Sequence, residues 1–190
     1  MKVLTKLLSF CFILSLFCMS VSAANMMTDG YSYKNVYVQN HATGSYTAKV
    51  NTAITNWNNA INQYANSGVT LRSVVKNTTS SSGIYSESFS EGSSTLQAKA
   101  DSYGLYLVRS QNSSCNCHKT NWFNIFINTD MTSASIAVSV TAHEIGHAFG
   151  LNDDQSSSSR LMSYSRNRST VVAPINDEVD SMLNWWDINH

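Results

Sequence analysis

The sequence predicts an α+β fold: one domain with a twisted mixed β-sheet over a buried helix, followed by a small C-terminal subdomain that ends in a helix. Three observations lead to this class. Several short stretches alternate apolar and polar residues, as strands do. Residues 47–68 and 175–186 place apolar side chains at helical spacing. Residues 133–149 are apolar almost all round, which indicates a helix buried beneath a sheet.

The remaining elements follow in chain order. The predicted strands are residues 31–39, 69–75, 103–109 and 122–128. The first helix begins near Thr47 and is closed by Gly68. A Ser/Thr-rich turn is expected at residues 78–83. Residues 91–104 show no clear helical or strand periodicity, so a loop or a short edge element is expected there.

Both later helices carry start signals. Thr132 or Ser133 is the expected cap of the buried helix. Pro174 begins the last helix, and Asp177 and Glu178 place negative charge in its first turn, where the helix dipole favours it. We therefore expect the C-terminal helix to pack through its apolar stripe, which consists of Ile175, Val179, Met182, Leu183 and Trp186.

The segment His143-Glu144-Ile145-Gly146-His147 lies inside the predicted buried helix. Residues at i and i+4 are neighbours on one helix face, so the two imidazoles can share one Zn²⁺. Glu144 then lies beside the metal and can take a proton from bound water. The alternative is a buried helix with two hydrogen-bonded histidines and a paired glutamate. An unpaired carboxylate on a packed face is costly, so a zinc hydrolase is favoured.

The residues after this segment extend the pattern. Gly150 supplies the left-handed exit that ends a helix. Three residues later Asp153 offers an oxygen as a third ligand. Asp154 is the alternative, but the spacing from Gly150 favours Asp153. Residues 161–164 then read Leu-Met-Ser-Tyr, the form of a tight methionine-containing turn. The predicted metal ligands are His143, His147 and Asp153.

This combination resembles the metzincin clan of zinc endopeptidases, whose pattern is H-E-x-x-H-x-x-G-x-x-H followed by a methionine turn. Asp153 stands where most of the clan has a third histidine, and this variant is similar to the snapalysin-like secreted bacterial peptidases. Tyr164, two residues after Met162, is more similar to the astacins and serralysins than to the matrixins. The similarity in layout runs from Lys34 onward, and the specific motifs lie within residues 141–164.

The resemblance implies a zincin-like domain and a role for each residue of the site. Glu144 deprotonates the attacking water and returns the proton to the leaving amine. Met162 is a packing floor rather than a ligand. Tyr164 binds zinc weakly and then donates a hydrogen bond to the developing oxyanion; the alternative for Tyr164 is an aromatic side chain that packs the C-terminal subdomain. The expected catalytic residues are thus Glu144 and Tyr164.

The first 23 of the 190 residues have the form of a signal peptide, with a short basic start, an apolar core and small residues before Ala24. We expect a catalytic domain at residues 24–190 that is secreted, extracellular and monomeric. A retained membrane anchor is the alternative. The formal net charge is zero and no basic cluster is present, which argues against nucleic acid as a partner. Because 43% of residues are hydrophobic, the chain is not of disordered composition.

Cys115 and Cys117 are the two cysteines beyond the signal segment, and His118 follows them. A strained disulfide between them, a free or intermolecular pair, and a second metal site that uses His118 all remain open.

The expected cofactor is Zn²⁺ and the expected partners are protein or peptide substrates. Two other functions stay open. An exported module could hold zinc structurally, although structural sites usually close all four positions with protein ligands. Hydrolysis of a non-peptide amide would use the same site chemistry.

Overall fold

The computed structural model describes residues 24, 26–27, 30–66, 68–89, 102–111 and 120–189. The strands are β1 (Val36–Asn40), β2 (Val74–Lys76), β3 (Gly83–Glu87), β4 (Gly104–Gln111) and β5 (Thr120–Asn128). The helices are α1 (Ser45–Tyr64), α2 (Ala137–Ala148) and α3 (Asn176–Asn189). The predicted signal segment, residues 91–101, the two cysteines and His118 lie outside the described residues.

The five strands form one mixed sheet in the order β2-β1-β3-β5-β4. Four of them run parallel, and β4 pairs antiparallel with β5 at one edge. Helix α2 packs against β4, β5 and α1, so it is buried between the sheet and another helix. This arrangement confirms the mixed sheet over a buried helix at the level of architecture. Within the described residues, no helix has the length and apolar character needed to cross a membrane.

Strand β3 was not predicted. Residues 78–83 form the expected turn, but Gly83–Glu87 continues as a strand between β1 and β5. Its backbone pairs with both neighbours, and Ile84 is fully buried. Only Ile84 and Tyr85 in this short segment favour a strand and the flanking residues are serine-rich, so pairing on both sides contributes more than propensity.

Three element boundaries also differ from the prediction. The first strand starts at Val36 rather than at residue 31, and the second is confined to Val74–Lys76. Helix α1 ends at Tyr64, whereas Gly68 lies four residues beyond with a φ of 98°. The chain thus leaves the helix before the glycine that was expected to close it.

The predicted cap of α2 was wrong. The helix begins at Ala137 with Ile136 at its N-cap, and no side chain caps it. Thr132 instead donates its hydroxyl to the Tyr103 carbonyl at 2.8 Å, which ties the chain after β5 to the start of β4. Ser133 lies in a turn that precedes the helix, where its hydroxyl contacts Ser135 at 2.7 Å. Both hydroxyls therefore have partners outside the helix, and neither caps a backbone N–H of α2.

The C-terminus of α2 follows the prediction. Gly150 adopts a φ of 93°, a conformation that side chains other than glycine rarely adopt. Its N–H donates to the His147 carbonyl at 3.0 Å, and the Leu151 N–H donates to the Gly146 carbonyl at 3.0 Å. These two hydrogen bonds form a Schellman motif. The motif turns the chain back along α2, towards the histidine side chains.

Arg72 connects the elements around this helix end. Its guanidinium lies 4.9 Å from the ring centre of Phe149 and 4.2 Å from that of Trp186 on α3. It donates to the Phe149 carbonyl at 3.2 Å and to the Lys34 carbonyl at 2.9 Å. Burial lowers the pKa of Arg72 to about 9. The C-terminal helix and the chain before β1 are thereby joined to the end of α2.

Candidate metal centre

His143 and His147 lie on one face of α2, as the spacing predicts. The His143 Nδ1 lies 2.9 Å from the Leu161 carbonyl, and the His147 Nδ1 lies 2.9 Å from the Leu151 carbonyl. A carbonyl oxygen only accepts, so each Nδ1 carries a proton, and the Nε2 of each ring is the nitrogen that can offer a lone pair to a metal. A backbone partner on one nitrogen and a free lone pair on the other is the arrangement of a metal-binding histidine.

Asp153 lies against these two Nε2 atoms. Its Oδ1 is 3.1 Å from the His143 Nε2 and 3.7 Å from the His147 Nε2. The same oxygen is buried and accepts no hydrogen bond from any described residue. Burial raises the pKa of Asp153, but the proximity of His143 and His147 and the hydrogen bond from the Tyr164 hydroxyl to Oδ2 together lower it. The carboxylate is therefore the favoured form.

Asp154, the alternative third ligand, is directed elsewhere. Its carboxylate pairs with Arg160 at 2.8 Å and accepts the Ser156 N–H at 2.6 Å. Its own N–H donates to the Met162 carbonyl at 2.9 Å. Asp154 therefore holds the loop that carries Asp153 and does not join the histidines.

The three side chains fit a zinc ion. One ligand atom from each of His143, His147 and Asp153 lies within 4.8 Å of the others. Lone pairs that face each other at this range repel, and a cation or a proton between them removes the repulsion. Two imidazole nitrogens and a carboxylate oxygen form a three-ligand set of the kind that catalytic zinc sites use, with a further position left open.

Glu144 lies next to this cluster and close to the edge of the sheet. Its side chain is 6% exposed, and its carboxylate has no hydrogen bond or ion pair with a described residue. A Cβ at Gly104 of β4 would lie 2.7 Å from the Glu144 Oε1. The absence of a side chain at residue 104 therefore leaves the room that this carboxylate occupies.

Met162 packs beneath the histidines. Its side chain is 1% exposed, and its sulfur lies 2.3 Å from where a Cβ on Gly146 would be. Its backbone N–H donates to the Glu178 Oε1 at 2.9 Å, and the Leu161 N–H donates to the Glu178 Oε2 at 3.2 Å. Met162 can pack in this position because Gly146 of α2 has no side chain and leaves room for its sulfur.

Glu178 is a residue whose part in the site the sequence analysis missed. It was interpreted only as a favourable charge in the first turn of α3. It is completely buried, and besides Leu161 and Met162 it accepts the Ile175 N–H at 3.0 Å. Burial raises its pKa, and the three backbone N–H groups oppose that rise. Glu178 is the third residue of α3 and accepts the N–H of the N-cap residue, as the glutamate of a capping box does. Its position in the helix could therefore have indicated this role from the sequence.

Tyr164 lies beside the cluster rather than in the core. Its ring is 54% exposed, which contradicts the alternative that it packs a subdomain. Its hydroxyl donates to the Asp153 Oδ2 at 2.6 Å. That hydrogen bond, with a smaller effect of burial, raises the pKa of Tyr164 to about 12. The phenol therefore stays protonated at neutral pH.

A cavity of about 500 Å³ opens over these groups. One wall is the start of β4, from Ser102 to Tyr106, and the floor is α2. Tyr164, Arg166 and Arg168 also line the cavity. The two arginines and the β4 residues were not among the predicted site residues, because nothing in their local sequence marks them.

Comparison with known proteins gives little further guidance. No family model matches the sequence, and no curated protein matches it. Among solved structures, the chain is similar to high choriolytic enzyme 1, a hatching enzyme zinc-protease from the medaka fish Oryzias latipes. The identity is 13% and the TM-score 0.37, over 88% of this chain and 96% of that chain. A similarity this low carries no argument, so the metal centre is judged on its own geometry.

Proposed function

We propose that this protein is a zinc-dependent endopeptidase of metzincin type. The observation that carries the proposal is the cluster of three metal-ligand atoms with a buried, unpaired carboxylate beside it. In this proposal His143, His147 and Asp153 hold Zn²⁺. When bound, the ion would polarise the substrate carbonyl and lower the pKa of a coordinated water. A structural zinc site needs neither an open position nor a neighbouring free carboxylate.

Glu144 is the proposed general base. It follows His143 on α2 and lines the same cavity as His143 and His147. Its carboxylate has no partner among the described residues that would hold it away from a water molecule. It takes a proton from the attacking water and delivers it to the leaving amine. It lies against Gly104 beside Val140 and is buried, which limits the access of bulk water.

The edge of β4 is the proposed binding surface for the substrate backbone. Among the described strands, β4 pairs only with β5, so its other edge keeps backbone N–H and C=O groups that can pair with an extended peptide. The same strand forms a wall of the cavity. A peptide added to this edge would pass over Glu144, which favours a peptide bond over a small amide as the substrate.

Tyr164 is the proposed oxyanion donor. Its phenol is protonated and already lies within hydrogen-bond distance of Asp153, so a modest rotation of an exposed side chain would exchange the carboxylate for a substrate oxygen. Preorganised donors of this kind contribute most when charge develops in the transition state.

The test is cleavage of a proteome-derived peptide library by the zinc-loaded protein. Wild type and a Glu87→Ala control should cleave, because Glu87 lies at the end of β3 and outside the cavity. Glu144→Ala should bind zinc and not cleave. Zinc retention without cleavage by wild type would instead favour a structural zinc module, and turnover of small amides alone would favour an amidohydrolase.

We further propose that residues 1–23 direct export and that the domain acts outside the cell. N-terminal sequencing of the exported protein should give Ala24 as the first residue; a protein that retained Met1 would contradict this.

A further inference from the structure

Two arginines line the candidate metal cavity and have no acidic partner at ion-pair distance among the described residues. Arg166 is 5% exposed, and Arg168 is half-buried. Arg160 nearby is different, since it pairs with both Asp154 and Asp177. In proteins, buried guanidinium groups are normally paired with carboxylates or other anions. Two cations that lack such a partner at a cavity wall therefore call for an explanation.

Arg166 is held in place by neutral groups. Its Nε donates to the Ser139 hydroxyl of α2 at 3.0 Å, and its Nη1 donates to the Ser163 carbonyl at 2.8 Å. These hydrogen bonds fix the guanidinium between α2 and the methionine turn without neutralising its charge. Burial and the charge of Arg168 together lower the pKa of Arg166 to about 10, and the charges of Glu144, Asp153 and Glu178 only partly oppose this. The two guanidinium groups are thus close enough to repel each other.

Arg168 presents a donor that has no acceptor. Its guanidinium lies 4.2 Å from the ring centre of Tyr103, and its Nη2 donates to the Tyr164 carbonyl at 3.3 Å. Its Nε is buried and makes no hydrogen bond with any described residue. A buried donor without an acceptor is unfavourable, and an oxygen of a bound ligand would supply the acceptor. A planar guanidinium fixed against a ring is suited to bidentate recognition of a carboxylate.

We propose that Arg168, supported by the charge of Arg166, forms a carboxylate-binding subsite in the cavity and selects peptides that carry a carboxylate next to the bond to be cleaved. The inference rests on the proposed peptidase function. The carboxylate belongs either to an acidic side chain or to the C-terminus of the substrate, and both present the same two oxygens. Glu144 and Asp153 lie in the same cavity, but a zinc ion at the cluster would offset their negative charge.

The experiment compares matched peptides that differ only in this carboxylate. Sequences found in the library digest are synthesised with Glu or Gln at each position flanking the cleaved bond, and each with a free or an amidated C-terminus. The ratio of kcat/KM between the members of each pair is measured for wild type, Arg168→Gln and Arg168→Lys. Lys76→Gln is the control for loss of a positive charge, because Lys76 is exposed on β2 at the other edge of the sheet and does not line the cavity.

For wild type we expect the carboxylate-bearing peptide to be preferred on the order of ten- to a hundredfold, the range for a hydrogen bond to a charged group. Arg168→Gln should bring this ratio close to one, Arg168→Lys should give an intermediate ratio, and Lys76→Gln should leave the wild-type ratio unchanged. A preference for Glu over Gln assigns the subsite to a side chain, whereas a preference for the free C-terminus assigns it to chain ends. Equal rates within every pair for wild type, or an unchanged ratio in Arg168→Gln, would overturn the proposal.

A separate binding measurement distinguishes this proposal from the proposed function. The same peptide pairs are titrated calorimetrically into zinc-loaded Glu144→Ala protein, in which turnover is removed. Preferential binding of the carboxylate-bearing peptides, without cleavage of any peptide by wild type, would support the subsite and refute the peptidase. Equal affinities within the pairs, with cleavage intact, would refute the subsite alone.

Discussion

The contact between Gly146 and Met162 allows the effect of one added carbon to be worked out. In Gly146→Ala, the new Cβ would lie 2.3 Å from the Met162 Sδ, 3.1 Å from its Cε and 3.4 Å from the Trp57 Cζ2. Non-bonded heavy atoms prefer separations of about 3.5–4.0 Å. The methionine side chain must therefore move by roughly 1 Å, but it is 1% exposed and has no free space to enter.

Two opposing terms set the change in the free energy of unfolding. Alanine is favoured over glycine in a helix interior by about 1 kcal/mol. Overpacking a buried site costs about 1–3 kcal/mol, and a displaced methionine next to a buried tryptophan places this site towards the upper end. We therefore expect Gly146→Ala to destabilise the zinc-free protein by about 1–2 kcal/mol. Since Gly146 lies between the two histidines, zinc affinity should fall as well.

The assay is urea denaturation of the zinc-free protein, followed by tryptophan fluorescence, together with a zinc titration against a chromophoric chelator. A double-mutant cycle with Met162→Ala separates steric conflict from other effects, because the smaller residue leaves room for the new methyl group. In the Met162→Ala background the glycine-to-alanine change should become neutral or stabilising. A Gly146→Ala protein with wild-type zinc affinity and equal or greater stability would refute the packing of Met162 against this helix.

Three further predictions concern the site and the C-terminal helix. His147→Ala should lose both zinc retention and activity, whereas Glu144→Ala should keep zinc and lose turnover; zinc content and peptide hydrolysis distinguish them. Tyr164→Phe should lower kcat by roughly ten- to a thousandfold with little change in KM, and steady-state kinetics that matched wild type would exclude the phenol from catalysis. Asp187 accepts a backbone N–H of the loop before β2, which lowers its pKa from 3.8. Its contribution to stability is therefore present at neutral pH and lost as pH falls below that value, so the difference in unfolding free energy between wild type and Asp187→Asn should vanish in acid.

A feature could be predicted from the sequence where residues close together in the chain determine it. The spacing of His143 and His147 and the left-handed conformation of Gly150 are local properties of one helix and its end, and the structure has both. Strand β3 is five residues long and depends on partners far away in the chain, so its own sequence, set among serine-rich neighbours, was not enough to predict it. The prediction of the α2 cap was wrong for the same reason, because the Thr132 hydroxyl donates to the carbonyl of Tyr103, a residue distant in sequence.

The surroundings of the cluster show the same limit. Asp153 could be chosen over Asp154 by spacing, but the reason that Asp154 is excluded, its pairing with Arg160, is visible only in three dimensions. Likewise, Tyr164 could be placed near the cluster by resemblance, whereas its hydrogen bond to Asp153 could not. The walls contributed by Gly104 and Arg168 come from segments that carry no motif.

The buried carboxylate of Glu178 has a consequence for the order in which the site can be completed during synthesis. All three members of the metal cluster precede α3 in the chain, but the backbone N–H groups of Leu161 and Met162 are satisfied only by Glu178 from that helix. A nascent chain that has emerged as far as residue 164 would contain the three candidate ligands, Glu144 and Met162, but not the carboxylate that holds the turn beneath them. The turn under the cluster would therefore be completed only once the last helix has left the ribosome and docked, so the candidate site is assembled late in synthesis although its residues are made earlier.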